Sequence, residues 1–369
     1  MKASPFHDSF AKKNAVFAQR YGTSVVSKVS DSAAEYHCVR DALALTDVSY
    51  MQRFSFPEDK GLDFLDSLCA GNVAKVRFGR MLHTFIADEN GHLLADCYVA
   101  NNDEQFVLLA ETIVDAAAFK DLLLSRGAAD AGMVDLSESH ALLSVDGYKA
   151  WAVVKGLFGA DVLGLPYLSV ERYDFQGEPL ALFRAGKTSE FGYYLLAPAS
   201  KAAPLFDACL AIAAENGGGL CGVEIHNDLR LEGRFFNIFA EGAAVRDPLV
   251  LGLQWMIDFG KAEFLGSKAI FAHRAATLSH KIIGICTESG AKELVKGTPI
   301  YSGSAQVSEV VASCYSYLLR VYVGLAVFPV DIAFAGLQFC LGSERGPVIH
   351  TISMPPIMPK SLTVKLDEL

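Results

Sequence analysis

The sequence predicts an α+β chain: two related α+β units followed by a C-terminal antiparallel β-barrel. Three observations lead there. The chain has 369 residues, more than one ordinary core accommodates, so two or three packed units are expected. Over roughly the first 275 residues, helical and strand patterns mix, and a strand–turn–helix order recurs in outline. From about Lys281 the pattern changes to short β-rich runs parted by Gly-rich turns. The expected division is therefore residues 1–275 and 276–369.

Taken in order, residues 8–22 and 31–45 read as helices, with Ser32 and Glu35 forming an S-x-x-E capping box on the second. Residues 46–56 read as a strand, because β-branched and aromatic residues dominate. A helix follows at 61–71, its apolar face made by Leu62, Phe64, Leu65 and Leu68 and its stop by Gly71. Residues 81–111 carry the clearest hairpin signal: two apolar runs flank Asn90-Gly91, which supplies a positive φ. A further turn at Asn101-Asn102-Asp103 leads to a third strand, and 111–127 is helical. The order then repeats: strand, turn and helix over 140–159, strands over 167–186, and a helix over 200–219 ended by glycines.

The C-terminal part contains one long apolar run, residues 317–341. A membrane helix needs roughly 20 uncharged residues, and Arg320, Pro329 and Asp331 interrupt this run. Its Val, Ile, Tyr and Phe content fits two buried strands joined at Phe328–Val330.

Composition excludes several classes. Net charge is −10, and no basic stripe with interleaved aromatics occurs, so a nucleic-acid partner is not expected. The N-terminal residues carry charges throughout and lack an apolar signal core. Eight cysteines sit singly, without a C-x-x-C pair, and read as reduced thiols of a cytoplasmic protein. The terminal Leu366-Asp367-Glu368-Leu369 looks like a retention signal and, without a signal peptide, is read as coincidence.

Several stretches, in order, carry a family resemblance: Asp47-Val48-Ser49-Tyr50-Met51, Gly91 to Asp96, Gly186-Lys187-Thr188-Ser189-Glu190-Phe191-Gly192, Leu229-Arg230-Leu231-Glu232, and Pro248 to Trp255 followed by Phe264-Leu265-Gly266. They are similar to the D-V-S-H-M, G-G-x-x-x-D, G-Y-T-G-E-x-G, L-R-L-E and P-x-E-A-G-L-x-W motifs of the aminomethyltransferase family, the T-protein of the glycine cleavage system. The resemblance spans nearly the whole chain. It implies a three-domain ring around a central tetrahydrofolate channel. Folate-dependent demethylases belong to the same superfamily. A branch serving iron–sulfur cluster assembly carries K-G-C-[YF]-x-G-Q-E, which this sequence lacks.

Asp96 is the first catalytic candidate. It follows a turn in a strand where Leu93 and Leu94 are apolar, and a carboxylate there stays buried only with partners that shift its pKa. The competing reading is a strand-edge residue capping the turn. The resemblance implies an orienting and proton-transferring role beside the folate nitrogen. Cys97 is expected to face the other way, because strand neighbours alternate. Glu190 matches a family carboxylate, which also suits a turn-bonding role. Arg230 and Glu232 read as structural ion pairs. Trp255 reads as a buried aromatic, either a wall for a flat ring or ordinary core.

The departures from the family pattern are as informative. By motif, the usual Tyr before the hairpin becomes His83, the Glu gripping the pterin becomes Tyr194, an Arg-Asp pair becomes His226-Asn227, and the Tyr of G-Y-T-G-E becomes Lys187. Exchanging a carboxylate–pterin contact for one tyrosine bond costs about 1.5–3 kcal/mol. His83 and His226 could together form a new acid–base or metal site; with no third ligand apparent, no metal is assigned.

Two functions follow. One is a tetrahydrofolate-dependent transferase moving a methyl or aminomethyl group, with a small-molecule donor or a lipoyl carrier protein as partner. The other keeps the pocket of His83, Asp96, Tyr194 and His226 for a non-folate ligand, in an enzyme or a binding protein.

Overall fold

A computed structural model describes residues 3–20, 23–102, 104–291 and 293–369. Tyr21 and Gly22 of the expected first helix, and Asp103 of the expected turn, lie outside these.

Two sheets form the first part of the molecule. The first unit places Gln52–Pro57, then helix Glu58–Leu68, then the meander Met81–Ala87, Leu93–Asn101 and Gln105–Thr112, then helix Ala116–Ser125. The second unit repeats this order with His140–Gly147, helix Trp151–Phe158, meander Ser169–Phe175, Glu178–Arg184 and Phe191–Pro198, and helix Ala202–Glu215. In both sheets the last meander strand pairs antiparallel with the leading strand. The recurrence read from the sequence is thus a recurrence of topology. Val134–Asp135 extends the first sheet, and Ala44–Asp47 with Gly219–Leu220 the second.

Strand alternation assigns each face. Phe54, Cys97, Val99 and Leu108 pack against helix residues Leu65, Phe119 and Leu123. Leu143, Val145, Tyr193 and Leu195 pack against Val153, Phe206 and Cys209. The intervening residues, among them Tyr98, Leu109, Leu142, Phe183 and Tyr194, meet each other between the sheets. The result is four layers: helices, sheet, sheet, helices. At about 25 cal/mol per Å² of apolar surface, this middle layer fastens the two units by the same burial that builds each core.

The C-terminal strands close into a six-stranded antiparallel barrel, from His280–Thr287 to Val348–Ile352. Ile285, Ile300, Val310, Phe328 and Ile349 fill it. The apolar run at 317–341 divides into the strands Val321–Pro329 and Gln338–Leu341, so the turn between them is longer than Phe328–Val330. Among the described residues no helix is long and apolar enough to cross a membrane.

Three local expectations are corrected. The first helix is His7–Ala11 only; Asn14 takes φ +60, which a helix cannot continue through, and Val16–Arg20 pairs with Thr23–Lys28 instead. The second helix, Ser32–Asp41, is capped by Asp31, whose carboxylate accepts from the N–H groups of Ala33 and Ala34 at 3.0 and 3.1 Å. Glu35 does not close a capping box. It accepts from Val29, Ser30 and Gly222 amides and joins three segments.

Candidate functional site

The hairpin Met81–Ala87/Leu93–Asn101 turns through residues 88–92. Asp88 Oδ1 accepts from the amides of Asn90 and His92 at 2.9 Å each, and Gly91 takes φ +78. The turn is therefore longer than a two-residue Asn-Gly loop. Its register puts Asp96 opposite both Phe85 and Glu111, and His83 opposite Tyr98. By alternation Asp96 faces the second sheet, while Cys97 faces the helices, where burial holds its thiol well above the ordinary range.

Asp96 is 2 % exposed. Its Oδ1 lies 2.7 Å from His83 Nε2, and its Oδ2 accepts from Lys187 Nζ at 2.6 Å. The Lys187 ammonium also bonds Glu111 Oε2, and Tyr50 donates its hydroxyl to Glu111 Oε1 at 2.8 Å. Burial alone would raise the Asp96 pKa; the Lys187 charge and then His83 outweigh it and hold it at about 2. For Lys187 burial works downward, but Asp96 and Glu111 prevail and push it well above its usual value. Asp96 and Lys187 are therefore both ionised at neutral pH.

Neither carboxylate would be tolerated alone. Like charges directly opposite on neighbouring strands repel, and burial adds to the cost. The cation that neutralises them arrives from the other unit, on the loop between Glu178–Arg184 and Phe191–Pro198. That loop closes tightly: a Cβ on Gly192 would stand 2.7 Å from the Gly186 Cα.

His83 stacks on Tyr98, with ring centroids 4.4 Å apart, and meets the edge of Trp255 at 5.4 Å. Trp255 is 64 % exposed, which corrects the expectation of a buried ring; in its short turn Met256 takes the buried place. The buried Tyr98 hydroxyl has no hydrogen-bond partner among the described residues.

His226 belongs to a separate cluster. Its Nε2 lies 3.0 Å from Thr46 Oγ1 and 3.4 Å from Asp146 Oδ2. Burial raises the Asp146 carboxyl above its ordinary pKa. Each histidine thus has its own aspartate, rather than sharing one site. Among the described residues no group of three or more His, Cys, Asp or Glu is placed to hold a metal. Tyr194 is buried in the middle layer, its ring 6.1 Å from that of Tyr98. Together with Tyr50, Glu111, Lys187, His226 and Asn237 it lines a cavity of about 30 Å³.

Glu190 is engaged elsewhere. It accepts from Arg40 at 3.1 Å and from the Ser361 amide at 2.9 Å. Arg230 and Glu232 do form ion pairs, though with Glu241 and Arg40 rather than each other. Sequence reasoning noted Lys187 only as a departure and Tyr50 only within a motif, and did not name Glu111, Tyr98 or Asp146.

Residues 6–261, more than half of the chain, match the family model described as the GCVT N-terminal domain. The chain belongs to the GCVT family. It is 25% identical to an aminomethyltransferase of Mycobacterium leprae over 96% of both chains. It is 28% identical to one of Thermus thermophilus, covering 88% of this chain and 91% of the relative. Its fold matches the crystal structure of glycine cleavage system aminomethyltransferase T from Bartonella henselae with a TM-score of 0.81 at 19% identity, over 97% and 98% of the two chains. The resemblance read from the motifs is a family relationship, and the α+β plan with its terminal barrel is the family fold.

Tetrahydrofolate, which that resemblance implies, enters this pocket only if Lys187 and its neighbours move. The cavity of about 30 Å³ holds no more than a few waters, whereas ligand pockets run to hundreds of Å³. Both carboxylates that could meet a pterin edge are spent on Lys187.

Proposed function

We propose that this GCVT-family chain is a one-carbon-group transferase, moving a methyl or aminomethyl group, with Asp96 as its central carboxylate. The observation that supports this is a buried, ionised Asp96 held on both oxygens, on the strand whose motif matches the family. A carboxylate with a pKa near 2 is a weak proton acceptor at neutral pH. Its use in this state is to orient and stabilise a positively charged one-carbon centre, as fixed charge in a dry site does. Donors that suit it are small methylated or aminomethylated compounds; an aminomethyl group on a lipoyl carrier protein is the alternative. We place the reaction in the cytoplasm, a reading that the eight free cysteines support.

The test is transfer of a labelled one-carbon group from such donors to tetrahydrofolate, with wild type and Asp96→Asn. Loss of about 10²-fold or more in kcat for the variant is expected. Full activity in the variant would remove Asp96 from the mechanism.

One observation favours a second reading, a ligand other than folate in the same pocket: Lys187 fills the space and pairs both carboxylates. If wild type shows no rise in Tm with millimolar tetrahydrofolate, this second reading holds; a rise at micromolar levels removes it.

A further inference from the structure

Asp96 and Glu111 stand directly opposite on neighbouring strands, both buried, with one ammonium between them. That ammonium is on a loop of the other unit, at the wall of a cavity. The buried Tyr98 hydroxyl, on the same face of the sheet, has no hydrogen-bond partner among the described residues. Tyr98 lies within electrostatic reach of both Lys187 and Asp96. A purely structural ion pair has no need of an orphaned hydroxyl, which is costly to leave unbonded in a buried place.

We infer that Asp96 and Glu111 form a cation subsite for which Lys187 is a tethered occupant, and that the pocket's ligand is a small organic ammonium compound that takes the place of the Lys187 ammonium. This deepens the transferase reading and rests on it for the identity of Asp96 as the central group. The ligand's ammonium bonds the two carboxylates, and a polar atom beside it meets the Tyr98 hydroxyl. Exchange has a chemical consequence. With Lys187 withdrawn and a ligand ammonium in its place, loss of the ligand's proton leaves Asp96 beside Glu111 with no cation between them. Its affinity for a proton then rises. The same carboxylate is a fixed anion before the exchange and a proton acceptor after it.

Chemical rescue tests this. Lys187→Ala removes the tethered ammonium and opens the space of its stem. At pH 7 the variant is expected to melt below wild type, and methylammonium chloride, the probe, is expected to raise its Tm by roughly 2–4 °C at concentrations well above its Kd. Sodium chloride and tetramethylammonium chloride, which cannot donate hydrogen bonds, should give less than half that shift. Wild type, where the probe must first displace Lys187, should shift by less than half as much. An equal response in wild type, or none in the variant, overturns the proposal. Should Lys187→Ala fail to fold, Lys187→Ala/Glu111→Gln leaves a single buried carboxylate and is rescued by the same probe; absence of rescue there overturns the proposal too. The readout needs no turnover. Failure of rescue is therefore distinct from failure of the Asp96→Asn assay.

Discussion

Ser189 occupies φ +70, a conformation that favours glycine, two residues from Lys187. An L-residue there costs about 1–2 kcal/mol. Ser189→Gly is expected to stabilise the chain by about 1 kcal/mol, read as a higher urea midpoint at unchanged slope. Asp228 offers a test in pH. Burial, partly opposed by Arg230, pushes its carboxyl up to about 7. The unfolded chain releases that proton near 3.8. Its contribution to stability is therefore complete below about pH 4 and lost as pH rises through 7, up to about 4 kcal/mol. Wild type should melt lower at pH 8 than at pH 5, and Asp228→Asn should flatten that slope. Among single residues, Asp96 was legible because a local turn and motif precede it. Lys187 was not, since a loop lysine reads as solvated and its partners lie 91 and 76 positions away. A signal existed nonetheless: a turn near Asn102 sets Asp96 against Glu111, and two facing carboxylates demand a cation.

At the scale of elements, Arg40 on the helix Ser32–Asp41 shows how segments are locked together. It reaches Glu190 at 3.1 Å and Glu232 at 2.8 Å, and donates to the Thr188 carbonyl at 2.8 Å. Tyr36, one turn earlier, donates to Glu232 as well. Arg40→Met would leave two buried carboxylates without their cation. A loss of about 3–5 kcal/mol is expected in denaturant unfolding. Because Glu190 and Thr188 flank the Lys187 loop, such a variant should also loosen that loop. Elements with strong local signals were read correctly, notably the barrel strands and the paired helices of the two units. The first helix was overextended, because the apolar spacing of Phe10, Phe17 and Ala18 imitates a helical face while Asn14 breaks it. Capping failed for a related reason: Asp31 and Ser32 are both good caps, and chain direction, set by contacts of Glu35 with distant amides, decides between them.

Across the whole molecule, the duplicated topology explains where the site is. Two sheets pack face to face, and each presents polar residues into the end of a shared apolar layer: Asp96, Glu111 and His83 from the first, Asp146, Thr46 and Tyr194 from the second. Each unit's core was legible from periodicity, since it is built from neighbours in sequence. The site was less so, since the cation between its two buried carboxylates comes from the other unit. Motifs located the strand of Asp96 and the loop of Lys187; only the packing of one sheet on the other brings them to 2.6 Å.

The segment beyond the barrel returns to the second unit. The Ser361 amide bonds Glu190, Lys360 pairs with Asp41, and Leu366 packs on the core that holds Phe6 and Phe10. A nascent chain therefore has both sheets outside the ribosome well before it has the fastening of the loop that carries Lys187. Until Ser361 emerges, the buried carboxylates depend on a loop with one of its anchors missing. The last residues to be synthesised are thus among those that hold the Lys187 loop in place.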